Sequence, residues 1–142
     1  MRALLDVNVL IALLDSDHAL HERADDWFAT HGRGGWASCP ITQNGCIRIM
    51  SHPAYPNAIH AGLVAERLRE AASDRHHEFW PDDLSILDPG AVDSTRIHGP
   101  RQITDVYLLG LAVRHGGRFV TFDKGVSGSA VRNAEPGHLL VI

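Results

Sequence analysis

The stretch QITDVYLLGLAVRHGGRFVTFD, residues 102–123, decides the fold class. Apolar residues recur in it every three or four positions, which predicts an amphipathic helix over 102–115 with a stripe of Val106, Leu109, Ala112 and Val113. The glycine pair at 116–117 supplies the stop signal. A compact, continuously apolar strand follows at 118–122 and ends directly before Asp123. Such a strand is typical of a mostly parallel sheet that helices cover on both faces.

The same alternation of strand-like runs and amphipathic stretches extends over the rest of the chain. We predict further strands at 3–6, 36–38, 77–80 and 139–142, and further helices at 9–14, 20–31, 41–50 and 57–72. Pro40 suits the first turn of the third helix of the chain, and Asn57 can cap the fourth. The sequence has neither an internal repeat nor a low-complexity linker. It therefore predicts an α/β fold, a three-layer α/β/α sandwich with a central, mostly parallel sheet, as a single domain over residues 1–142.

Composition excludes several classes of protein. The chain has 142 residues, 44% of them hydrophobic and 21% charged, which is the profile of a globular domain. No apolar run approaches the ~20 residues of a membrane-spanning helix, and Asp6 and Asn8 interrupt the apolar N-terminus, which argues against a signal peptide. Cys39 and Cys46 form no C-x-x-C pair, so we expect neither a disulfide framework nor a zinc ribbon, and a cytoplasmic location. Because the net charge is −4, any contact with nucleic acid must depend on local basic groups.

Three aspartates lie where open parallel sheets bind ligands, outside the carboxyl ends of the strands. Asp6 ends the first predicted strand, Asp123 follows the apolar strand near the end of the chain, and Asp105 lies in the first turn of the helix that feeds that strand. Asn8 and Thr121 flank two of the acids and could orient their carboxylates. Taken singly, each aspartate has an ordinary interpretation as a helix cap, a helix-dipole partner or a turn residue.

Taken together, the three acids indicate metal chemistry. Two carboxylates about 4 Å apart repel each other by about 4 kcal/mol at an effective dielectric constant of about 20, so converging acids need a cation or protons. Mg²⁺ and Mn²⁺ take oxygen ligands from a few carboxylates, from waters and from substrate phosphate. The reaction that such a cluster would support is phosphodiester hydrolysis.

Three blocks of the sequence carry a resemblance to a known family: LLDVNVLIALLD (4–15), CPITQNGCIRIMSHP (39–53) and ITDVYLLGLAVRHGGRFVTFD (103–123). In this order and spacing, the chain resembles PIN-domain proteins of the VapC toxin family over nearly its whole length. The resemblance implies a small α/β/α endoribonuclease that uses Mg²⁺ or Mn²⁺, and a place in a type II toxin–antitoxin system. It also implies a VapB-type antitoxin in the active-site groove and a PIN–PIN homodimer.

The resemblance further assigns roles to individual residues. It implies that Asp6, Asp105 and Asp123 hold the metal ion, with Asn8 and Thr121 as their polar neighbours. The family commonly has a glutamate in the middle block, where this chain has Gln43. An amide carries no charge to balance a metal ion, but its oxygen can accept a hydrogen bond from a bound water. The three remaining carboxylates are sufficient for one divalent ion.

Three functions follow from these observations and stay open at this point. The first is an active ribonuclease in which Gln43 positions water or substrate. The second is a catalytically weak or inactive PIN module that binds antitoxin or RNA without cutting it. The third, a phosphoacceptor signalling domain, fits poorly, because the only lysine, Lys124, lies in the turn after Asp123 instead of on a later strand end.

Basic and aromatic residues that could contact RNA lie in two regions. Arg96, His98 and Arg101 lie just upstream of the helical aspartate, around a Gly-Pro turn, and can bring cationic groups to the rim of the acid cluster. Among the tryptophans, Trp27 lies on an apolar helical stripe, which favours the core or an interface. Trp80 ends the predicted strand 77–80 directly before a loop rich in proline and aspartate, and is the tryptophan that the sequence places best to stack on a base.

Overall fold

The computed structural model describes residues 1–142 and contains strands and helices in the alternating order that the sequence predicts. The strands are β1 (Ala3–Leu5), β2 (Trp36–Ser38), β3 (His77–Phe79), β4 (Arg118–Thr121) and β5 (Leu139–Val141). The helices are α1 (Val7–Leu14), α2 (His21–His31), α3 (Pro40–Met50), α4 (Ala61–Ala72) and α5 (Ile103–Arg114). No helix combines the length and the apolar character that crossing a membrane requires.

All five strands belong to one parallel sheet in the order β3-β2-β1-β4-β5. Helices α1 and α2 connect β1 to β2, α3 and α4 connect β2 to β3, and α5 lies between β3 and β4. The chain therefore extends the sheet from β1 in one direction first, and then adds β4 and β5 on the other side. The strand order reverses between β1 and β4, and ligands of open α/β sheets bind at such a reversal.

Alternate side chains of β1 belong to two separate core clusters, one on each face of the sheet. Leu4 lies in the cluster that α5 covers, whose buried members include Val106, Leu108, Leu109, Leu111 and Phe119. Ala3 and Leu5 lie in the cluster that α1, α3 and α4 cover, whose buried members include Val9, Leu10, Cys46, Met50, Val64 and Leu68. The predicted three-layer α/β/α arrangement with a central parallel sheet is therefore confirmed.

Two glycines form the tight connection between α5 and β4. Gly116 has a φ of 66°, in the left-handed region that glycine adopts without strain. A Cβ on Gly117 would lie 2.5 Å from the carbonyl oxygen of Arg2 and 2.7 Å from Cη2 of Trp80. The predicted stop signal therefore has two physical reasons: a backbone turn at Gly116 and the close approach of Gly117 to Arg2 and Trp80.

The start of α4 differs from its prediction. The N-cap is His60, whose Nδ1 accepts a hydrogen bond from the backbone N–H of Gly62 at 3.0 Å. Asn57 lies in the preceding loop, where its Nδ2 donates to Asp15 Oδ2 at 3.4 Å. The predicted Asn57 cap is wrong because the asparagine side chain takes part in a contact with the end of α1, a partner that the local sequence does not reveal.

Trp80 continues β3 as the predicted strand 77–80 requires, but its side chain differs from the prediction that it is available for base stacking. Its backbone N–H donates to the carbonyl of Ser38 at 2.9 Å, which extends the pairing of β3 with β2 by one residue. Its side chain is 1% exposed and stacks on the ring of His115 with 4.5 Å between centroids. Trp80 is therefore a core residue, and base stacking by it is excluded.

Candidate active site

The carboxyl ends of β1 and β4 lie side by side at the reversal of strand order. The two strands pair in parallel with Leu5 opposite Val120. The backbone N–H of Asp6 donates to the carbonyl of Val120 at 2.9 Å, so the pairing continues one residue beyond β1. This pairing brings the residues that follow β1 next to the residues that end β4, although more than a hundred positions separate them in the chain.

Both carboxylate oxygens of Asp6 have protein hydrogen-bond partners. Asp6 is the N-cap of α1, and its Oδ1 accepts from the backbone N–H of Val7 at 2.7 Å. Its Oδ2 accepts from the hydroxyl of Thr121 at 2.6 Å. The residue is only 8% exposed. Each carboxylate oxygen retains a further lone pair for another donor or for a cation.

The hydroxyl of Thr121 makes hydrogen bonds to three other residues of the site. It donates to Asp6 and accepts from Asn8 Nδ2 at 3.2 Å and from the backbone N–H of Asp123 at 3.0 Å. Asn8 is held from its other side, because its Oδ1 accepts from the backbone N–H of Phe122 at 3.4 Å. One donor and two acceptor positions are all that a hydroxyl has, so the orientation of Thr121 is fully determined.

The remaining two aspartates approach the same region from different elements. Asp105 lies in the first turn of α5 and is half-buried. Asp123 follows β4 and is exposed, and its Oδ1 accepts from the backbone N–H of Gly125 at 2.7 Å. We refer to Asp6, Asp105 and Asp123 as the acid cluster.

Burial and mutual repulsion raise the pKa of two members of the acid cluster. Burial, followed by the charges of Asp6 and Asp123, raises the pKa of Asp105 to about 6. Burial also raises the pKa of Asp6, hydrogen bonds from Thr121 and Val7 oppose that effect, and the charge of Asp123 adds to it. The three acids therefore interact electrostatically, which is the physical condition under which a cation is stabilised.

The acid cluster is not a closed metal cage. The structure contains no group of three or more His, Cys, Asp or Glu side chains arranged so that they could hold a metal ion together. Charge interactions extend well beyond the roughly 2 Å of a Mg²⁺–oxygen bond, so the raised pKa values of Asp6 and Asp105 are compatible with the absence of such a group. Mg²⁺ is usually bound by one or two carboxylates, with waters and substrate phosphate completing its coordination. The donor set of the acid cluster fits that mode.

Gln43 lies on α3 and makes its hydrogen bond outside the acid cluster. Its Nε2 donates to Ser38 Oγ at 3.0 Å, and Ser38 Oγ lies 2.8 Å from His77 Nε2. Gln43 also lines a groove between α3 and α4. The sequence analysis did not identify Ser38 and His77 as the hydrogen-bonded neighbours of Gln43. The position of Ser38 at the carboxyl end of β2 was the available signal.

The loop before α5 brings basic side chains to the acid cluster. Arg96 lines a small crevice together with Asp105, and its Nη1 donates to the carbonyl of Ser129 at 3.5 Å. The loop is held by a hydrogen bond from the backbone N–H of His98 to Gln102 Oε1 at 3.0 Å. Arg101 is exposed on the 3-10 turn Pro100–Gln102, and its side chain has no hydrogen-bond or ion-pair partner. Of the predicted cationic rim, Arg96 thus lies beside Asp105, whereas Arg101 lies in the turn before α5 and its place at the rim stays a prediction.

Comparison with known proteins identifies the family of the chain. Residues 3–129 match the model of the PIN domain. Ribonuclease VapC44 of Mycobacterium tuberculosis is 52% identical over 142 residues, which cover 100% of both chains. Ribonuclease VapC39 of the same organism is 41% identical over 131 residues, covering 92% of this chain and 94% of the relative.

Two solved structures share the fold at low sequence identity. The crystal structure of Mycobacterium tuberculosis VapC20, described as a sarcin-ricin loop cleaving toxin, has a TM-score of 0.63 and 11% identity, and the match covers 94% of this chain and 99% of that chain. The crystal structure of VapBC2 from Rickettsia felis, bound to a DNA fragment from its promoter, has a TM-score of 0.56 and 11% identity, with 87% and 89% covered. At this identity the likeness concerns the fold alone. The full-length sequence matches and the shared fold together show that the chain belongs to the PIN-domain family, among its VapC members.

Proposed function

We propose that the protein is the toxin of a type II toxin–antitoxin pair, an endoribonuclease that hydrolyses phosphodiester bonds in RNA at the acid cluster. One observation carries the proposal: the Thr121 hydroxyl joins Asp6 at the end of β1 to the backbone of Asp123 after β4, and the charges of both acids act on Asp105 of α5 and help to raise its pKa. Three acids from distant parts of the chain are therefore within electrostatic reach of one another. The relatives named VapC44 and VapC39 are ribonucleases, which supports the same reaction class for this chain.

The proposed cofactor is Mg²⁺ or Mn²⁺ at Asp6, Asp105 and Asp123, bound directly by one or two of these carboxylates and through water by the rest. Carboxylate oxygens are hard ligands that suit these ions, and the cluster supplies no thiolate or imidazole that would favour zinc. A divalent ion would also remove the repulsion that raises the pKa of Asp105. When bound, such an ion supplies Lewis-acid activation of water and charge neutralisation at the reacting phosphate.

The side chains of the site then have separate tasks. Thr121 and Val7 hold the two oxygens of Asp6 in one orientation, and Asn8 fixes Thr121. Asp105, in the first turn of α5, would bring a third carboxylate to the ion. Arg101 binds an RNA phosphate, which offsets the repulsion between the acids and the substrate backbone.

A second candidate function is a PIN module that binds antitoxin or RNA and cuts weakly or not at all. The observation that favours it is Gln43, whose amide nitrogen donates to Ser38 and which brings no negative charge to the site. In the active enzyme, we propose that the amide oxygen of Gln43 positions water or substrate. Gln43→Glu separates the two functions: a large gain from near-zero cleavage indicates a disabled site, whereas a change within about tenfold indicates that the amide is sufficient.

Cleavage of RNA by the protein purified free of antitoxin tests the main proposal. We expect cleavage with Mg²⁺ or Mn²⁺, none with EDTA, and a loss of at least about 100-fold for Asp6→Asn or Asp105→Asn, as for other groups that transfer protons or hold the reacting atoms. Asp25→Asn is the matched control, because Asp25 is exposed on α2 and its replacement changes the net charge equally. Cleavage by Asp6→Asn and Asp105→Asn at the rate of Asp25→Asn would refute the proposed site.

The proposal extends to the partners and the location of the protein. We propose that a VapB-type antitoxin occupies the active-site groove, that the toxin forms a homodimer and a heteromer with the antitoxin, and that it acts in the cytoplasm. Membership of the VapC group, shown by the relatives VapC44 and VapC39, supports pairing with a VapB-type antitoxin. Light scattering of the purified toxin, alone and co-expressed with the product of a neighbouring small reading frame, measures both assemblies. A monomer that no such product binds would contradict them.

A further inference from the structure

The hydroxyl of Ser38 lies between two side chains that come from different elements. It accepts a hydrogen bond from Gln43 Nε2 of α3 at 3.0 Å, and its Oγ lies 2.8 Å from His77 Nε2 of β3. Ser38 is fully buried, and its side chain has no other hydrogen-bond partner. Because the proton of a buried hydroxyl needs an acceptor, Ser38 must donate to one of these two side chains.

The chemistry of the two partners fixes the direction of this donation. An amide nitrogen only donates, so Gln43 Nε2 cannot accept the proton of Ser38. The hydroxyl therefore donates to His77 Nε2, which must be unprotonated, and the ring carries its proton on Nδ1. Burial lowers the pKa of His77, which agrees with a neutral ring at neutral pH. The hydrogen bonds thus run in one direction, from Gln43 through Ser38 to His77.

This arrangement leaves the amide oxygen of Gln43 free. The oxygen accepts no hydrogen bond from the protein, and the buried polar atoms without a partner all belong to other residues, so it is accessible to solvent. With the proton of His77 on Nε2, the ring would donate to Ser38 and the hydroxyl would donate to the amide oxygen. The amide nitrogen would then be the free end. The state of His77 therefore determines which end of the Gln43 amide is offered to a ligand.

The free amide oxygen belongs to the edge of the sheet that carries the acid cluster. Ser38 is the last residue of β2, which pairs in parallel with β1, and Asp6 follows the end of β1. Helix α3 also packs closely on the start of α1, since a Cβ on Gly45 would lie 2.7 Å from Cγ2 of Val7. The beginning of α3, where Gln43 lies, is therefore a neighbour of the helix that Asp6 caps.

We propose that His77 is a positioning residue, which acts through Ser38 to hold the Gln43 amide with its oxygen outward. An outward oxygen accepts from a water or from a hydroxyl group of RNA, whereas an outward nitrogen would donate instead. The consequence for cleavage rests on the proposed ribonuclease function, but the orientation of the amide does not. Neither Ser38 nor His77 needs to touch the substrate in this role.

NMR of the full-length protein at pH 8 tests the chain of hydrogen bonds. The sequence has two glutamines, Gln43 and Gln102, so glutamine-selective ¹⁵N labelling gives two side-chain amide groups, which Gln43→Glu assigns. We expect Ser38→Ala to shift the Gln43 amide signals and to leave those of Gln102 in place. Imidazole ¹⁵N spectra, assigned with His77→Phe, should show the proton of His77 on Nδ1. In Gln43→Glu the proton should lie on Nε2, because a carboxylate only accepts and Ser38 must then donate to it.

Cleavage kinetics test the consequence for the site. His77→Phe keeps a ring beside Trp36 but removes the acceptor of Ser38, and we expect kcat to fall about three- to tenfold, the effect of one hydrogen bond. His77→Gln offers Ser38 an acceptor again and should recover most of the loss. In the Gln43→Glu background, His77→Phe should change kcat by less than about twofold, because the two carboxylate oxygens are equivalent and have no orientation to set. A merely structural role of His77 would lower kcat in both backgrounds.

His31→Phe is the matched control, because His31 is exposed on α2 and undergoes the same replacement; kcat should stay within about twofold. If His77→Phe fails to fold, Ser38→Ala, which loses only a hydroxyl, should show the same loss of kcat. The proposal is overturned if Nε2 of His77 carries the proton in the unmodified protein, if Ser38→Ala leaves the Gln43 signals in place, or if His77→Phe cleaves as fast as His31→Phe. A protein that shows the hydrogen-bond chain by NMR but cleaves no RNA would contradict the proposed ribonuclease and not the positioning of the amide.

Discussion

Replacing Thr121 by valine tests how the acid cluster is held. The residue is fully buried, and its hydroxyl donates to Asp6 while it accepts from Asn8 and from the backbone of Asp123. A hydrogen bond to a charged group contributes about 1.5–3 kcal/mol and one between neutral groups about 0.5–1.5 kcal/mol. Because the Asn8 and Asp123 donors have some access to water, we expect a loss of about 2–4 kcal/mol in the free energy of unfolding at pH 8. For a chain of this length, that loss lowers Tm by roughly 5–15 °C.

The pH dependence of the loss follows from Asp6. Burial raises the pKa of Asp6, and the Thr121 hydroxyl partly offsets that rise by stabilising the charged form. Since the folded-state pKa of Asp6 lies above its ordinary value, its ionisation opposes folding, and stability falls as pH rises through that pKa. Without the hydroxyl the pKa rises further, so the valine variant loses more stability at pH 8 than at pH 4.

Urea unfolding followed by circular dichroism at the two pH values measures this difference. Thr121→Ser is the matched control, because it keeps the hydroxyl and loses one methyl group, which costs about 1 kcal/mol at either pH. Equal losses for the valine and serine variants at pH 8 would refute the role assigned to the hydroxyl. A valine loss that is the same at pH 4 and pH 8 would refute the link to the charge of Asp6.

Two further predictions concern Asp105 and the glycine connection. Asp105→Asn should increase the free energy of unfolding in EDTA at pH 8 by about 1–2 kcal/mol, after discounting for partial exposure, because it removes a charge whose pKa is raised to about 6. The gain should vanish at pH 4, where Asp105 of the folded wild type is protonated. Mg²⁺ should raise the Tm of the wild type but not of this variant. Lower stability of the variant than of the wild type at pH 8 would contradict the electrostatic account. Gly117→Ala should cost about 2–3 kcal/mol because its Cβ would lie 2.5 Å from the carbonyl oxygen of Arg2. Gly34→Ala, whose Cβ would meet nothing within 4 Å, should change chemical denaturation little, and equal losses in the two alanine variants would contradict the packing argument.

Much of the fold could be predicted from the sequence because local pattern and tertiary packing agree. Three residues of the predicted α5 stripe, Val106, Leu109 and Ala112, are buried, as is the run of β4, and the glycine pair lies where the chain turns between them. The helix is buried beyond that stripe, since Leu108 and Leu111 are buried too and Val113 only partly. The neighbourhood of Asp6 and Thr121 was also foreseeable, since parallel strands bring their carboxyl ends to one edge of the sheet.

The features that escaped prediction depend on partners distant in the chain. Trp80 precedes a segment rich in proline and aspartate, yet its backbone pairs with Ser38 and its ring stacks on His115. The hydrogen bond from Gln43 to Ser38 depends on how α3 lies against β2, which residue spacing alone does not determine. Likewise, the sequence indicated which three acids to consider together, but it could not reveal that they interact through charge without forming a closed metal cage.

Asp6, the first residue after β1, is both a member of the acid cluster and the cap of α1. Replacing Asp6 by alanine would therefore confound two effects, the loss of an acid from the cluster and the loss of a helix cap, which costs about 1 kcal/mol. Asparagine caps a helix as well as aspartate does, so Asp6→Asn removes the charge and keeps the cap, although its amide nitrogen cannot accept the hydrogen bond from Thr121. The Asp6→Asn variant is therefore a better choice than Asp6→Ala for trapping uncleaved RNA or for producing the toxin in growing cells.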